Sequence, residues 1–228
     1  MNQEVLCPVC GKGKMEFPNI DSCENCGWTY DSVQYDLHDE ECGENTLTVN
    51  EYREGLKLMG DAFSVREYEK IYFKGSHQKI LDSHLSELSK ISLGIDGYFR
   101  LPEKYVIYTD KTALENDYIA LTADQGDFLC KSFCTMEPKK LISYLQKINL
   151  REWEPEYIDP CVLDGTQWTL ILEFNGGEQS IEYNGSNAYP AEYKRLLSFF
   201  RRNCGKTKDM GGIINDRSYL RGYRRIEI

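Results

Sequence analysis

Cys7-Pro-Val-Cys10 and Cys23-Glu-Asn-Cys26 set four thiols in two pairs, each pair spaced by two residues and the pairs separated by twelve. Thiols at this spacing point to one tetrahedral ion. A Cys-x-x-Cys turn offers two sulfurs to a single centre, and a second such turn completes the shell. Gly11 and Gly27 follow the pairs and let backbone amides turn back toward the sulfurs. Four thiolates leave no coordination position for water, so the expected role is structural rather than catalytic. Zinc is the expected ion. Similar paired knuckles hold iron in rubredoxin-type sites, so iron is the alternative. His38 and Cys42 follow closely and either join the site or are an ordinary loop histidine and a free thiol.

Little other chemistry is visible. The sequence has no Walker loop, no GxGxxG after a strand, no HExxH and no GxSxG. His77 and His84 stand two helical turns apart, a rise of about 10.5 Å, too far to share an ion easily. They read as boundary residues beside Leu81 and Leu85. Cys130, Cys134, Cys161 and Cys204 read as buried free thiols, because no base is placed beside any of them. Asp164, Trp168, Asn187 and Tyr189 can converge if a hairpin returns the chain beside its start, forming a ligand or partner surface. The competing reading makes Asp164-Gly165 a turn, Trp168 and Tyr189 core, and Asn187 the cap of the last helix.

The elements that must position these residues change character along the chain. Residues 5–30 are short segments that bury too little to fold without the ion, whose binding supplies about 10–16 kcal/mol in zinc-finger peptides. Residues 31–45 read as a polar, acidic loop. Thr48-Val-Asn-Glu51 and Ser64-Val-Arg-Glu67 are capping boxes that open helices, the second interrupted near Gly75-Ser76. Strands are expected at 105–108, 117–121 and 128–133, with a helix over 136–149. Alternation through Trp168, Leu170, Leu172 and Phe174, then Asn175-Gly176-Gly177, then Ile181 and Tyr183, predicts a hairpin. A last helix carries Tyr189, Tyr193, Leu196, Leu197 and Phe200 on one face, with Pro190 in its first turn. An edge strand is expected at 224–228. The fold class is therefore α+β: a zinc ribbon over 1–60, a helical linker over 61–100, and over 101–228 a mainly antiparallel sheet packed with helices, ending in a basic tail.

Charge is unevenly placed within the formal total of −10. Residues 1–60 carry four Lys/Arg against twelve Asp/Glu, and residues 194–228 carry ten against three. An acidic ribbon repels a duplex, so the usual nucleic-acid role of zinc ribbons is not expected of the head. No apolar run reaches bilayer-spanning length, no signal peptide opens the chain, and nine cysteines are an odd count. These features point to a reducing cytoplasm and no membrane.

Cys-Pro-Val-Cys-Gly, Cys-Glu-Asn-Cys-Gly-Trp28, Asp31, Gln34, Gly43, Asn45 and Leu47–Arg53 resemble the cysteine-rich CPCC family of small bacterial zinc-binding domains, over about residues 5–58. Val9 replaces an extra knuckle cysteine of that family and Glu24 a second proline, leaving the four ligands intact. The resemblance implies zinc and a bacterial origin, and no reaction. Trp153, Tyr157, Asp164–Trp168 and Gly185–Pro190 resemble a carboxy-terminal domain of uncharacterised bacterial proteins, over roughly 115–202. The expected function is a non-enzymatic interaction module of the immunity or antitoxin type, docking a basic protein. The alternatives are a nucleic-acid factor using Arg201, Arg202, Arg217, Arg221, Arg224 and Arg225, and an enzyme with a small-molecule site near Asp164–Trp168.

Overall fold

The computed structural model describes residues 3–17, 21–41, 43–97, 102–114, 130–162, 165–175 and 179–204. The chain divides into two compact units, Met1–Ser76 and His77–Ile228.

In the first unit, β1 (Gln3–Leu6) and β2 (Lys14–Phe17) form an antiparallel ribbon in the register Leu6↔Lys14. The first cysteine pair lies between them. A bridge between Ser22 and Thr29 closes the second pair in the same way. The stretch expected as loop contains a short helix, α1 (Ser32–Asp36), because Asp31 caps it by accepting from the Val33 and Gln34 amides. Helix α2 (Val49–Met59) opens on the expected capping box, with Thr48 and Glu51 each accepting from the other's amide. Helix α3 (Val65–His84), whose residues from 77 on belong to the second unit, begins with the Glu67 amide donating to Ser64 Oγ. It runs unbroken through Gly75-Ser76, where an interruption was expected. One glycine weakens a helix by about 1 kcal/mol, which is less than the turns on either side hold. Gly55 lets α2 lie against Tyr68, since a Cβ there would fall 2.5 Å from the ring. The core of this unit joins the buried cysteines to Trp28, Val49, Tyr52, Phe63 and Tyr68.

The second unit is built on a six-stranded sheet in the order β5-β4-β3-β7-β8-β6. Its strands are β3 (Leu88–Gly97), β4 (Glu103–Tyr108), β5 (Cys130–Thr135), β6 (Glu156–Ile158), β7 (Thr166–Phe174) and β8 (Ser180–Ser186). The central pairings β4/β3, β3/β7 and β7/β8 are antiparallel, and the outer strands β5 and β6 pair in parallel. Strand β3 corrects the reading of residues up to 100 as helical. Ile91, Leu93 and Ile95 alternate onto the buried face, and β3 sits at the centre of the sheet with β4 on one side and β7 on the other.

Helices α4 (Pro138–Lys147) and α5 (Tyr193–Cys204) contribute Leu141, Leu145, Leu196 and Phe200 to the core over that face. Val106, Tyr108, Leu114 and Phe133 form a smaller cluster. Helix α5 starts later than expected. Pro190 precedes it, accepting from the Tyr193 amide at 3.0 Å, and Tyr189 lies outside it. The strands expected at 117–121 and 224–228, and the glycines of the Asn175-Gly176-Gly177 turn, lie outside the described residues. Among those described, no helix is long and apolar enough to cross a membrane.

Candidate metal centre

The four cysteines converge. Cys7 Sγ lies 3.6 Å from Cys26 Sγ, Cys10 Sγ lies 3.5 Å from Cys23 Sγ, and all four sulfurs fall within 4.8 Å of one another. A tetrahedron with metal–sulfur bonds of about 2.3 Å has edges of about 3.8 Å. The two short edges are already near that length, so the donor set fits one ion at its centre. Three of the sulfurs are buried and Cys10 is half-buried.

Backbone geometry explains the convergence. Within each knuckle the glycine amide returns to the first cysteine's carbonyl, Gly11 N to Cys7 O at 2.9 Å and Gly27 N to Cys23 O at 2.8 Å. Both glycines adopt the left-handed conformation, φ +67° and +83°, which this turn requires. Gly13 has a different role: a Cβ there would lie 2.2 Å from Cys23 Sγ.

The sulfurs are also electrostatically prepared. The Cys7 thiol is drawn down to about 5, first by its contact with Cys26 Sγ, with the Cys10 and Val9 amides adding to that pull and burial opposing it. Its partner Cys26 is held high, first by that same contact and then by burial. Burial raises Cys23. A cation among the sulfurs would take the place of these shared protons.

A buried amide network fixes the loop that closes over the second knuckle. Gln34 is fully buried. Its Nε2 donates to the carbonyls of Glu40, Asn45 and Leu47 at 3.2, 3.1 and 3.4 Å, and its Oε1 accepts from Asn45 Nδ2 at 2.9 Å. Asn45 in turn pairs with both backbone groups of Thr29, which follows the knuckle directly. Gly43 is needed because a Cβ would lie 2.8 Å from Asp31 and Gln34. Arg53 reaches the first knuckle, its Nε donating to Pro8 O at 2.9 Å while its Nη1 meets His38 Nδ1 at 3.1 Å. His38 therefore touches the site through Arg53 and is not among the clustered ligands. Cys42 lies outside the described residues.

The second set of residues is placed differently. Trp168 is buried, donates from Nε1 to Ala188 O at 2.9 Å, and packs on Tyr193, Tyr157 and Trp153. Opposite it on β8, Gly185 leaves the space its ring fills. Asn187, at φ +57°, does not cap α5. Its Oδ1 accepts from Thr166 N at 2.8 Å, so it clamps the start of β7. Tyr189 is 43% exposed and stacks on Trp168 at 6.4 Å. Asp164 lies outside the described residues.

The cations and remaining histidines are engaged as follows. Arg201 reaches Glu103 at 3.1 Å and Tyr105 at 3.3 Å, and Arg202 Nε donates to Ser198 O at 3.2 Å. Arg217, Arg221, Arg224 and Arg225 lie outside the described residues. His77 packs edge-on to Tyr183 at 4.9 Å, and His84 meets Glu87 at 3.1 Å. Cys204 is buried as expected, but Cys161, in the turn after β6, is exposed.

Fold and site together define a small four-cysteine knuckle unit and a separate α+β sheet unit on one chain. Residues 5–70 match the sequence model of the family described as Cysteine-rich CPCC, a span that covers both knuckles, α1, α2 and the first turns of α3. No curated protein and no solved structure matches the chain.

Proposed function

We propose that residues 5–70 form a zinc-stapled module that docks a basic protein, and that the chain is a non-enzymatic, cytoplasmic interaction protein of the bacterial immunity or antitoxin type. The observation that carries this reading is the outer face of α1. Gln34 turns inward, which leaves Val33 and Leu37, one helical turn apart, 49% and 57% exposed. Exposed Asp36, Asp39, Glu41 and Glu44 surround them in sequence. Three lysines of the unit are taken by other carboxylates, Lys14 by Glu4, Lys57 by Glu54 and Lys70 by Glu67. An apolar pair within uncompensated negative charge suits a partner with a basic rim and an apolar centre. The closed sulfur shell offers no position for substrate, which fits a staple.

Two experiments test this. Metal analysis of the purified full chain should return one zinc per chain, and iron in its place would overturn the zinc assignment. Pull-down from the native host should enrich a basic protein whose retention falls steeply with salt. Leu37→Asp should abolish the capture while zinc content and circular dichroism stay unchanged. Capture that survives Leu37→Asp, or enrichment of nucleic acid in place of protein, would overturn the docking surface.

A further inference from the structure

Outside the quartet, two more thiols meet although 70 positions separate them in sequence. Cys134 Sγ on β5 and Cys204 Sγ at the last residue of α5 lie 3.4 Å apart. A disulfide would shorten that contact by about 1.4 Å, a shift within reach of side-chain rotation and small backbone adjustment. The two sites differ in access. Cys204 is 1% exposed and its sulfur faces Val106 O at 3.6 Å, whereas Cys134 is partly exposed. They also differ in reactivity. The Cys134 thiol is held low, first by its contact with Cys204 and then by the Lys140 charge, with burial opposing, while Cys204 is held high by that contact and by burial. A thiolate-prone accessible sulfur beside a buried thiol is the arrangement of an attacking and a resolving cysteine.

We propose that Cys134 and Cys204 form a reversible disulfide when a hydroperoxide reaches the sheet unit. The Cys134 thiolate attacks the peroxide: an S–O bond forms, the O–O bond breaks, and water or an alcohol leaves with the added proton. Sulfur is oxidised by two electrons to the sulfenic acid and the peroxide is reduced. Cys204 sulfur then attacks the sulfenic sulfur. The S–S bond forms, the S–O bond breaks, and the hydroxyl leaves as water with the Cys204 proton. The bond pins the end of α5 to β5. Cys204 is also where the chain enters residues 205–228, which carry six Lys/Arg against three Asp/Glu. Oxidation therefore fixes the root of the basic segment without touching the metal site.

The test uses zinc-loaded full-length protein treated with stoichiometric hydrogen peroxide and mapped by mass spectrometry. The expected product is a Cys134–Cys204 cross-linked peptide, lighter by two hydrogens and restored by dithiothreitol, with zinc still bound. In Cys204→Ala the oxidised Cys134 should persist as a sulfenic acid that dimedone traps. The mapping of the unaltered protein stands even if that variant misfolds. Any of three results would overturn the proposal: both thiols remaining open to alkylation, Cys134 advancing to the sulfinic acid with no cross-link, or disulfides confined to the quartet with loss of zinc.

Discussion

Replacing Gln34 should weaken metal binding although its side chain touches no sulfur. The amide donates to three backbone carbonyls and accepts a hydrogen bond from Asn45, with Gln34 itself fully buried. In Gln34→Ala these groups lose their partner. One unsatisfied buried group costs about 1–3 kcal/mol, and partial relaxation of the loop keeps the total near 3 kcal/mol. If the knuckles fold only with the ion, that loss appears in the apparent metal affinity, where each 1.4 kcal/mol is a factor of about ten. The expected drop is about a hundredfold. Competition with a graded series of chelators, read on the full-length protein, measures it. Gln34→Glu separates hydrogen bonding from volume, since it keeps the shape and sets an oxygen against three carbonyls. It should cost at least as much as alanine. Wild-type metal retention in Gln34→Glu would refute the reasoning, because the network would then contribute nothing beyond filling space.

Four single-residue variants extend this. Gly13→Ala forces a Cβ to within 2.2 Å of Cys23 Sγ, against a ligand, and should lower metal retention by about a hundredfold, well beyond the loss in Gly11→Ala. Gly11→Ala meets open space and should cost only about 1–2 kcal/mol for its left-handed backbone; equal losses in the two variants would disprove the steric account. Gly185→Ala drives a Cβ to 2.0 Å from Trp168 Nε1, and overpacking of about 1–3 kcal/mol should lower the melting temperature of the sheet unit by roughly 2–10 °C, by calorimetry. His77 is drawn down from 6.5 to about 4, chiefly by burial, with the Glu182 charge opposing. The unfolded chain therefore binds the extra proton first. The stability held by neutral His77 is complete above pH 6.5 and is lost as pH falls toward 4. His77→Phe should flatten that part of the melting-temperature profile, and an unchanged slope would show that His77 does not titrate this way.

The metal site was legible because its information is local. Two turns of fixed length and two left-handed glycines state the ligand geometry in twenty residues. Gln34 was legible only as a letter in a motif, since a glutamine among Asp31, Asp36 and Asp39 looks solvated. Nothing in composition says that one amide turns inward to satisfy a loop. The same inward turn hid the outer face of α1, because five residues are too few to display a helical period. Strand β3 was missed for the opposite reason. Helical spacing through Leu81, Leu85 and Leu88 ran into the strand's first residue and masked the alternation of Ile91, Leu93 and Ile95. The contact between Cys134 and Cys204 has no local signal, because only the packing of α5 onto the sheet creates it.

The clustered cysteines and the proposed docking surface are linked through α1. A helix of five residues has no stability of its own in water, since its nucleation cost exceeds what one turn returns. It exists because Asp31 caps it, and because Gln34 is held by a loop that Asn45 ties to Thr29 beside the second knuckle. Release the ion and that chain of contacts loses its anchor, so Val33 and Leu37 lose their fixed spacing. A partner reading those two side chains then binds the metal-loaded form preferentially. Linkage makes the effect reciprocal: the bound partner must tighten the hold on the ion by the same factor that the ion tightens the hold on the partner. On the proposed docking function, the ion would act on recognition indirectly, by setting how much of the chain is rigid enough for a partner to read.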